Sequence, residues 1–285
     1  MSVITLFDPW RSEICTCPKK FTLSPYTGCG HGCLYCYASS YIKNFYFPRE
    51  KKNFLKRLDK EIKKIPKKSL ITMANSSDPY LPLEKELMLT SSTLKLLKKY
   101  DFRILIVTKS SLILRDIEIL KELKVVVSIS LTTLNEKLAK RLEPSAPPPS
   151  ARLKTIEVLS KYLNVVVRFD PIIYPLNTKE TKNIIREVKK RGTKQIITST
   201  YKVKSDNFKR MINAFGEYKK LWYKLYLQEG ERKGRYIYLA THLRRKIVEE
   251  VRNWSLKEGM AFSSCREGFK EWNTRTCDGS SFFST

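Results

Sequence analysis

From residue 69 onward, short and nearly continuous apolar runs alternate with longer segments whose apolar residues recur at helical spacing. The runs are 69–73, 102–108, 125–131, 164–169 and 195–199, all rich in β-branched side chains. A strand that is apolar on both faces is covered on both faces, as parallel strands flanked by helices are. Between the runs, residues 86–99, 112–121, 151–163 and 179–190 read as helices; in the last, Ile184, Ile185 and Val188 share one face. A further strand is predicted near residues 20–25. About six β-α units in succession predict an α/β chain folded as an open, partial (β/α)6 barrel. One domain is expected: an N-terminal segment 1–19, the barrel over 20–240, and a C-terminal extension 241–285 that turns irregular from Cys265. Residues 143–150 (EPSAPPPS) form the most conspicuous linker, since their prolines forbid a helix interior.

Composition narrows the setting. Hydrophobic residues make up 42% of the 285, enough for a folded core. No apolar run approaches the roughly 20 residues that span a bilayer, and the first residues lack a basic stretch followed by an apolar one. A cytoplasmic protein without membrane contact is expected. The charge is extreme: 55 Lys and Arg against 28 Asp and Glu, a formal net of +27. A field of that sign attracts polyanions, and nucleic acid is the commonest candidate. Heat-adapted surfaces are also lysine-rich, but there Lys and Glu rise together, and here the excess is one-sided. The basic residues are spread over 51–68, 179–194 and 202–246, so the binding face would belong to the folded body.

Seven cysteines, an odd and clustered set, point to metal or redox chemistry over a disulfide framework. Residues 24–39 (SPYTGCGHGCLYCYAS) place Cys29, Cys33 and Cys36 at Cys-x3-Cys-x2-Cys spacing, with glycines at 28, 30 and 32. Three thiolates fit three irons of a cubane cluster and leave the fourth without a protein ligand. Zinc held by the same cysteines and His31 competes, although zinc ligands usually come as two separated pairs. A bacterial ferredoxin run has different spacing.

With Tyr35 as the aromatic residue, the loop resembles the Cys-x3-Cys-x-aromatic-Cys signature of the radical S-adenosylmethionine (SAM) superfamily. The resemblance implies a [4Fe-4S] cluster whose open iron SAM chelates through its amino and carboxylate groups. One electron, from a reductant such as ferredoxin or flavodoxin, would then break the S–C5′ bond. The resulting 5′-deoxyadenosyl radical would abstract a hydrogen from substrate. Within the superfamily the chain resembles spore photoproduct lyase and its relatives, in Tyr35 and Tyr37 flanking Cys36 and in the NSSDP segment that begins at Asn75. That resemblance implies SAM contacts from Ser77 and Lys109, with Lys109 pairing with the methionyl carboxylate. Ser130 would reach the ribose or methionyl end, and the backbone around Tyr35 would hold adenine. Each of these residues ends a predicted strand, where βα-loops build active sites. Asn75 stands near the place where the lyase carries the cysteine that returns a hydrogen to product, so lyase chemistry proper lacks its donor here.

Tyr37, Asn75, Glu143 and Arg168 are the candidates for substrate chemistry. Glu143 opens the proline-rich loop near the ribose end, and Arg168 precedes Asp170 at a strand end. His31 and His242 are the only histidines; His242, after an apolar run, reads as a strand terminus or cap. Tyr201, Tyr218, Trp222, Tyr223 and Tyr226 interleave with lysines and could stack on unpaired bases, but the helical spacing of 218, 222 and 226 makes core packing the default. Cys15, Cys17, Cys265 and Cys277 remain. They could share a second zinc or iron-sulfur site that joins the chain ends and closes the bottom or flank of the barrel. They could equally be ordinary thiols, or one could be a hydrogen donor. Three functions result: radical chemistry on nucleic acid (lyase-like DNA repair or nucleoside modification), radical chemistry on a protein or small molecule, or a non-catalytic zinc-bound nucleic-acid module.

Overall fold

The apolar runs become neighbouring strands in chain order. In the computed structural model, which describes residues 2–7, 14–73 and 76–283, eight strands form one sheet: β1 (Ile4–Leu6), β2 (Phe21–Leu23), β3 (Leu70–Met73), β4 (Arg103–Thr108), β5 (Lys124–Ser130), β6 (Asn164–Ile172), β7 (Gln195–Thr200) and β8 (Ala261–Ser264). Every neighbouring pair from β2 to β8 is parallel, and β1 lies antiparallel on the β2 edge. The sheet does not close on itself, which is the open partial barrel that the alternation predicts.

Side chains alternate between two very different faces. Ile71, Met73, Ile104, Ile106, Val127, Ile129, Val165, Val167 and Ile196 pack outward into the main core, where Ile184, Ile185 and Val188 of the helix Thr181–Lys190 meet them, all fully buried. The inner face carries a smaller apolar cluster of Leu70, Leu105, Val126, Val166 and Ile197, with Cys265, Phe282 and Phe283 packed on it. The chain's own tail therefore fills part of the barrel interior. Gln195, the first residue of β7, donates to the Thr276 carbonyl at 2.9 Å, and Asn164, the first of β6, donates to the Phe282 carbonyl at 2.7 Å. A side chain at Gly279 would come within 2.9 Å of Val166.

The expected helices form as Leu89–Leu97, Ile117–Lys121, Pro149–Leu159 and Thr181–Lys190, the second preceded by a 3-10 turn at Ser111–Asp116. Pro149 ends the proline-rich linker by opening a helix, where its missing N–H costs nothing. One boundary moves. Residues 241–264, expected in the C-terminal extension, form the helix Thr241–Lys257 and β8, which adds a further β-α unit beside β7. The strand is short and ends in two serines, so it carries no apolar run to announce it. The irregular stretch does begin at Cys265. His242 sits exposed in the first turn of that helix. Trp222, Tyr226 and Tyr201 are buried core residues, Tyr218 stacks on Trp222, and Tyr223 alone of the group is well exposed. Among the described residues no helix is long and apolar enough to cross a membrane.

Candidate active site

The cysteine loop leaves β2 and is held from several sides. Gly28 adopts φ +82°, and a Cβ there would lie 2.5 Å from the Phe45 carbonyl oxygen, which instead accepts the Cys29 N–H at 2.7 Å. Gly32, at φ +69°, sits against Pro144 of the linker. Only glycine tolerates both demands. The loop's carbonyls are tied down by side chains from elsewhere. Arg210 donates to the carbonyls of Leu34 (3.1 Å) and Cys36 (3.0 Å), Asn207 to that of Tyr35 (3.1 Å), and Tyr46 to that of Cys33 (3.2 Å). Arg210 and Asn207 come from the helix Ser205–Ala214 that follows β7, so the loop is braced from the far side of the sheet.

Cys29, Cys33 and Cys36 all face one chamber of about 510 Å³. Burial pushes the Cys29 and Cys33 thiols up to about 12 and Cys36 to about 11, so they become thiolates only against a strongly positive centre. Backbone N–H groups are already aimed at two of the sulfurs, from His31 to Cys29 and from Ala38 to Cys36. Thiol donors, glycine-made clearance and N–H groups toward sulfur suit an iron-sulfur cluster. The zinc alternative fares worse. Nε2 of His31, on the fourth donor that zinc would need, is already engaged by Asp78 at 3.0 Å.

Asp78 knits three loops together. Besides His31 it accepts from Thr108 Oγ1 (2.7 Å), the Lys109 N–H (2.8 Å) and the Tyr80 N–H (2.9 Å). Burial works against its charge, but His31 and these donors hold its carboxyl below the usual range. Glu143 is the second such hub. It accepts from the Tyr35 hydroxyl, from Thr132 at 2.7 Å and from Arg152, with Lys109 Nζ 3.9 Å away. Burial opposes its ionisation, yet Arg152 and Lys109 bring its carboxyl to about 2. Glu143 does not line the chamber. Tyr35 and Thr132 engage its Oε1 and Arg152 its Oε2, so the structure shows Glu143 as a buried support behind Lys109 and the cysteine loop.

Ser77, Lys109, Ser130 and Tyr35 do line the chamber beside the cysteines. Ser77 Oγ lies 2.9 Å from Ser24 Oγ, and the Lys109 ammonium is 5.8 Å from the Tyr35 ring centre. Burial disfavours charge on Lys109, but the neighbouring Cys33 sulfur and Glu143 carboxylate more than restore it. Tyr37 is on the wall, edge-on to Tyr236 at 5.7 Å, and Arg168 is there too, paired with Asp170 at 2.9 Å. Asn75 lies outside the described residues.

Farther around the wall come Lys20, Lys202, Arg266 and Asp278, together with Cys15, Cys17 and Cys265. Three of the four terminal cysteines thus face the interior chamber, where an outer closure of the barrel bottom or flank was expected, because the tail runs along the inner face of the sheet. Cys17 Sγ is 3.4 Å from Cys277 Sγ and also hydrogen-bonded to Cys15. All seven cysteines are free thiols. Sequence reasoning missed Asp78, although it stands inside the NSSDP segment, and it missed Lys202, which the strand-end rule after β7 could have found. Lys20 and Asp278 form a buried ion pair across the whole chain, and no local signal announces it.

A model of the radical SAM superfamily matches residues 23–188, more than half of the chain. The uncharacterized protein ORF301 of Acidianus two-tailed virus is 37% identical over 168 residues, 52% of this chain and 53% of that protein. The uncharacterized protein MJ0683 of Methanocaldococcus jannaschii is 31% identical over 147 residues, 49% of this chain and 55% of that one. The chain thus spans about half the length of the curated relatives it matches. Among solved structures, a mutant spore photoproduct lyase with bound AdoMet and dinucleoside spore photoproduct superposes with a TM-score of 0.68 at 14% identity, covering 89% of this chain and 78% of the other. At that identity the likeness speaks for the fold. Taken with the cysteine loop at the mouth of an open parallel barrel, the family match shows that this chain belongs to the radical SAM superfamily, a family of enzymes that implies SAM and a [4Fe-4S] cluster as cofactors.

Proposed function

We propose that Cys29, Cys33 and Cys36 hold the cluster and that the enzyme directs radical chemistry at a nucleic acid, in lyase-like repair or nucleoside modification. The observation that carries the substrate class is the one-sided charge, +27 on 285 residues, which favours a polyanion. The nucleoside ligand of the lyase structure supports the same class by analogy of fold. Seven free thiols fit a reducing, cytoplasmic setting, with a ferredoxin- or flavodoxin-type reductant supplying the electron.

The cluster and SAM, when bound, supply a 5′-deoxyadenosyl radical that abstracts hydrogen from substrate. The chain's part is placement. Lys109, held protonated by the Cys33 sulfur and Glu143, offers its ammonium to the SAM carboxylate. Ser77 and Ser130 offer hydroxyls at the ends of β3 and β5, and the Tyr35 backbone, braced by Asn207, borders the adenine. Glu143 and Asp78 act as positioning residues: each fixes several loops at once, so the groups around SAM keep their geometry. Tyr37 and Arg168 face the substrate's side of the chamber.

The test is deuterium transfer from labelled DNA or RNA into 5′-deoxyadenosine under anaerobic reduction, beside binding measured against salt. Label transfer is expected, with log K falling by about 0.9 per contacted phosphate on duplex or 0.7 on single strands. SAM cleavage with no transfer from any nucleic acid, and no binding at low salt, would discard nucleic acid and leave proteins and small molecules.

A further inference from the structure

We infer that Cys15, Cys17, Cys265 and Cys277 form a second metal centre, thiolate-bound, beside the chamber that the first cysteine loop faces, with Cys15, Cys17 and Cys265 on its wall.

These cysteines come from the two ends of the chain, yet they converge. Cys17 Sγ lies 3.4 Å from Cys277 Sγ and hydrogen-bonds Cys15, while Cys265 is close enough to act electrostatically on both Cys15 and Cys277. Convergence has a cause in the fold: Cys265 directly follows β8, which pairs with β7, and the tail beyond it turns back along the inner face. Tetrathiolate sets are the donor chemistry of zinc and of iron-sulfur clusters. The sulfurs do not yet surround one point as for a single ion, and the same holds for Cys29, Cys33 and Cys36; metal binding supplies that last ordering.

Two further observations point to a ligand. The Cys17 N–H donates to the Cys15 sulfur, the i to i+2 pattern by which His31 serves Cys29 and Ala38 serves Cys36. N–H groups hydrogen-bonded to sulfur are a recurring feature of iron-sulfur ligation. Cations also surround the group. Lys20, almost fully buried, lies near Cys17 and Cys277 and pairs with Asp278, and Arg168 hydrogen-bonds the Cys265 sulfur. A four-thiolate centre is anionic, and buried cations beside it stabilise that charge. Each also has a carboxylate partner, Asp278 for Lys20 and Asp170 for Arg168, which keeps it in place beside the sulfurs.

The centre is isolated experimentally by removing the first one. The triple variant Cys29→Ala, Cys33→Ala, Cys36→Ala is reconstituted anaerobically, once with iron and sulfide and once with zinc, and its metal and acid-labile sulfide are counted. Retention of about one zinc per chain identifies a mononuclear centre, and retention of iron with sulfide identifies a cluster. Either must fall at least tenfold when Cys17→Ser and Cys277→Ser are added. A triple variant that binds neither, or binds metal that survives the added changes, overturns the inference. If the triple variant fails to fold, the count on the unaltered protein decides: iron beyond one [4Fe-4S] cluster, or bound zinc, supports the centre, and one cluster with no zinc removes it. The outcome is independent of the substrate proposal, which the deuterium-transfer and salt-dependent binding measurements decide.

Discussion

The two groups of cysteines share one chamber but reach it by opposite routes. Cys29, Cys33 and Cys36 lie within eight residues, shaped by Gly28 and Gly32 and braced by Arg210 and Asn207. Cys15, Cys17, Cys265 and Cys277 are drawn from both ends of the chain and meet because β8 joins the sheet and the tail folds inward. The first group needs the barrel only for position. The second exists only because the barrel has formed. A local chelate is a property of the loop, whereas a chelate between chain ends is also a fastening of the fold.

The largest effect tests the division of labour. Cys33→Ala should abolish formation of 5′-deoxyadenosine from SAM in the reconstituted enzyme while changing the melting temperature little. Cys277→Ser should instead lower the melting temperature by more than about 5 °C, since each kcal/mol moves a domain of this size by roughly 2–4 °C. Equal melting temperatures for the two variants would erase the distinction.

Glu143 sharpens the comparison from the first group's side. Glu143→Gln leaves the buried Arg152 without its carboxylate and should cost about 3–5 kcal/mol by denaturant unfolding. The folded carboxyl sits at about 2, below the roughly 4.3 of an unfolded glutamate. The stabilisation is therefore complete above about pH 5 and is lost as pH falls through about 2. Wild type and variant should converge in stability toward the acid end; a constant gap across that range would show that the charge is not what matters.

A smaller loss is expected from Gly28→Ala, about 1–3 kcal/mol from positive φ, because the new methyl also meets the Phe45 carbonyl oxygen. Cluster content should fall with it; full iron content at wild-type stability would show that the loop can rearrange. Smallest is Tyr223→Ala. Tyr223 is 41% exposed beside Lys219, Lys220 and Lys224, so stability should change by no more than about 0.5 kcal/mol. A larger loss would mean that this ring belongs to the core with Trp222 and Tyr226.

The reading of the sequence succeeded where a signal was local. Strands β3 to β7 were legible because each is largely buried on both faces and so is written as an apolar run. β8 was not, because Ser263 and Ser264 turn toward polar partners such as Gln195 and Asn273. Lys109, Ser77 and Ser130 were legible as strand-end residues, and they line one chamber with Cys29, Cys33 and Cys36 because parallel strands all point the same way and their ends converge. Glu143 was placed near the site, but its ties to Arg152 and Thr132 were not legible, since the linker's pattern reveals neither partner.

By itself, then, the sequence determined the alternating β-α architecture, the cysteine loop that follows β2 and the family chemistry of that loop, because burial periodicity and chelate spacing are carried by residues close together in the chain. Only the tertiary structure decided that Asp78 and Glu143 are buried hubs, that Lys20 meets Asp278, and that cysteines from the two chain ends meet beside the chamber. Those facts depend on which distant segments come into contact, and contact between distant segments leaves no periodicity in the sequence of either one.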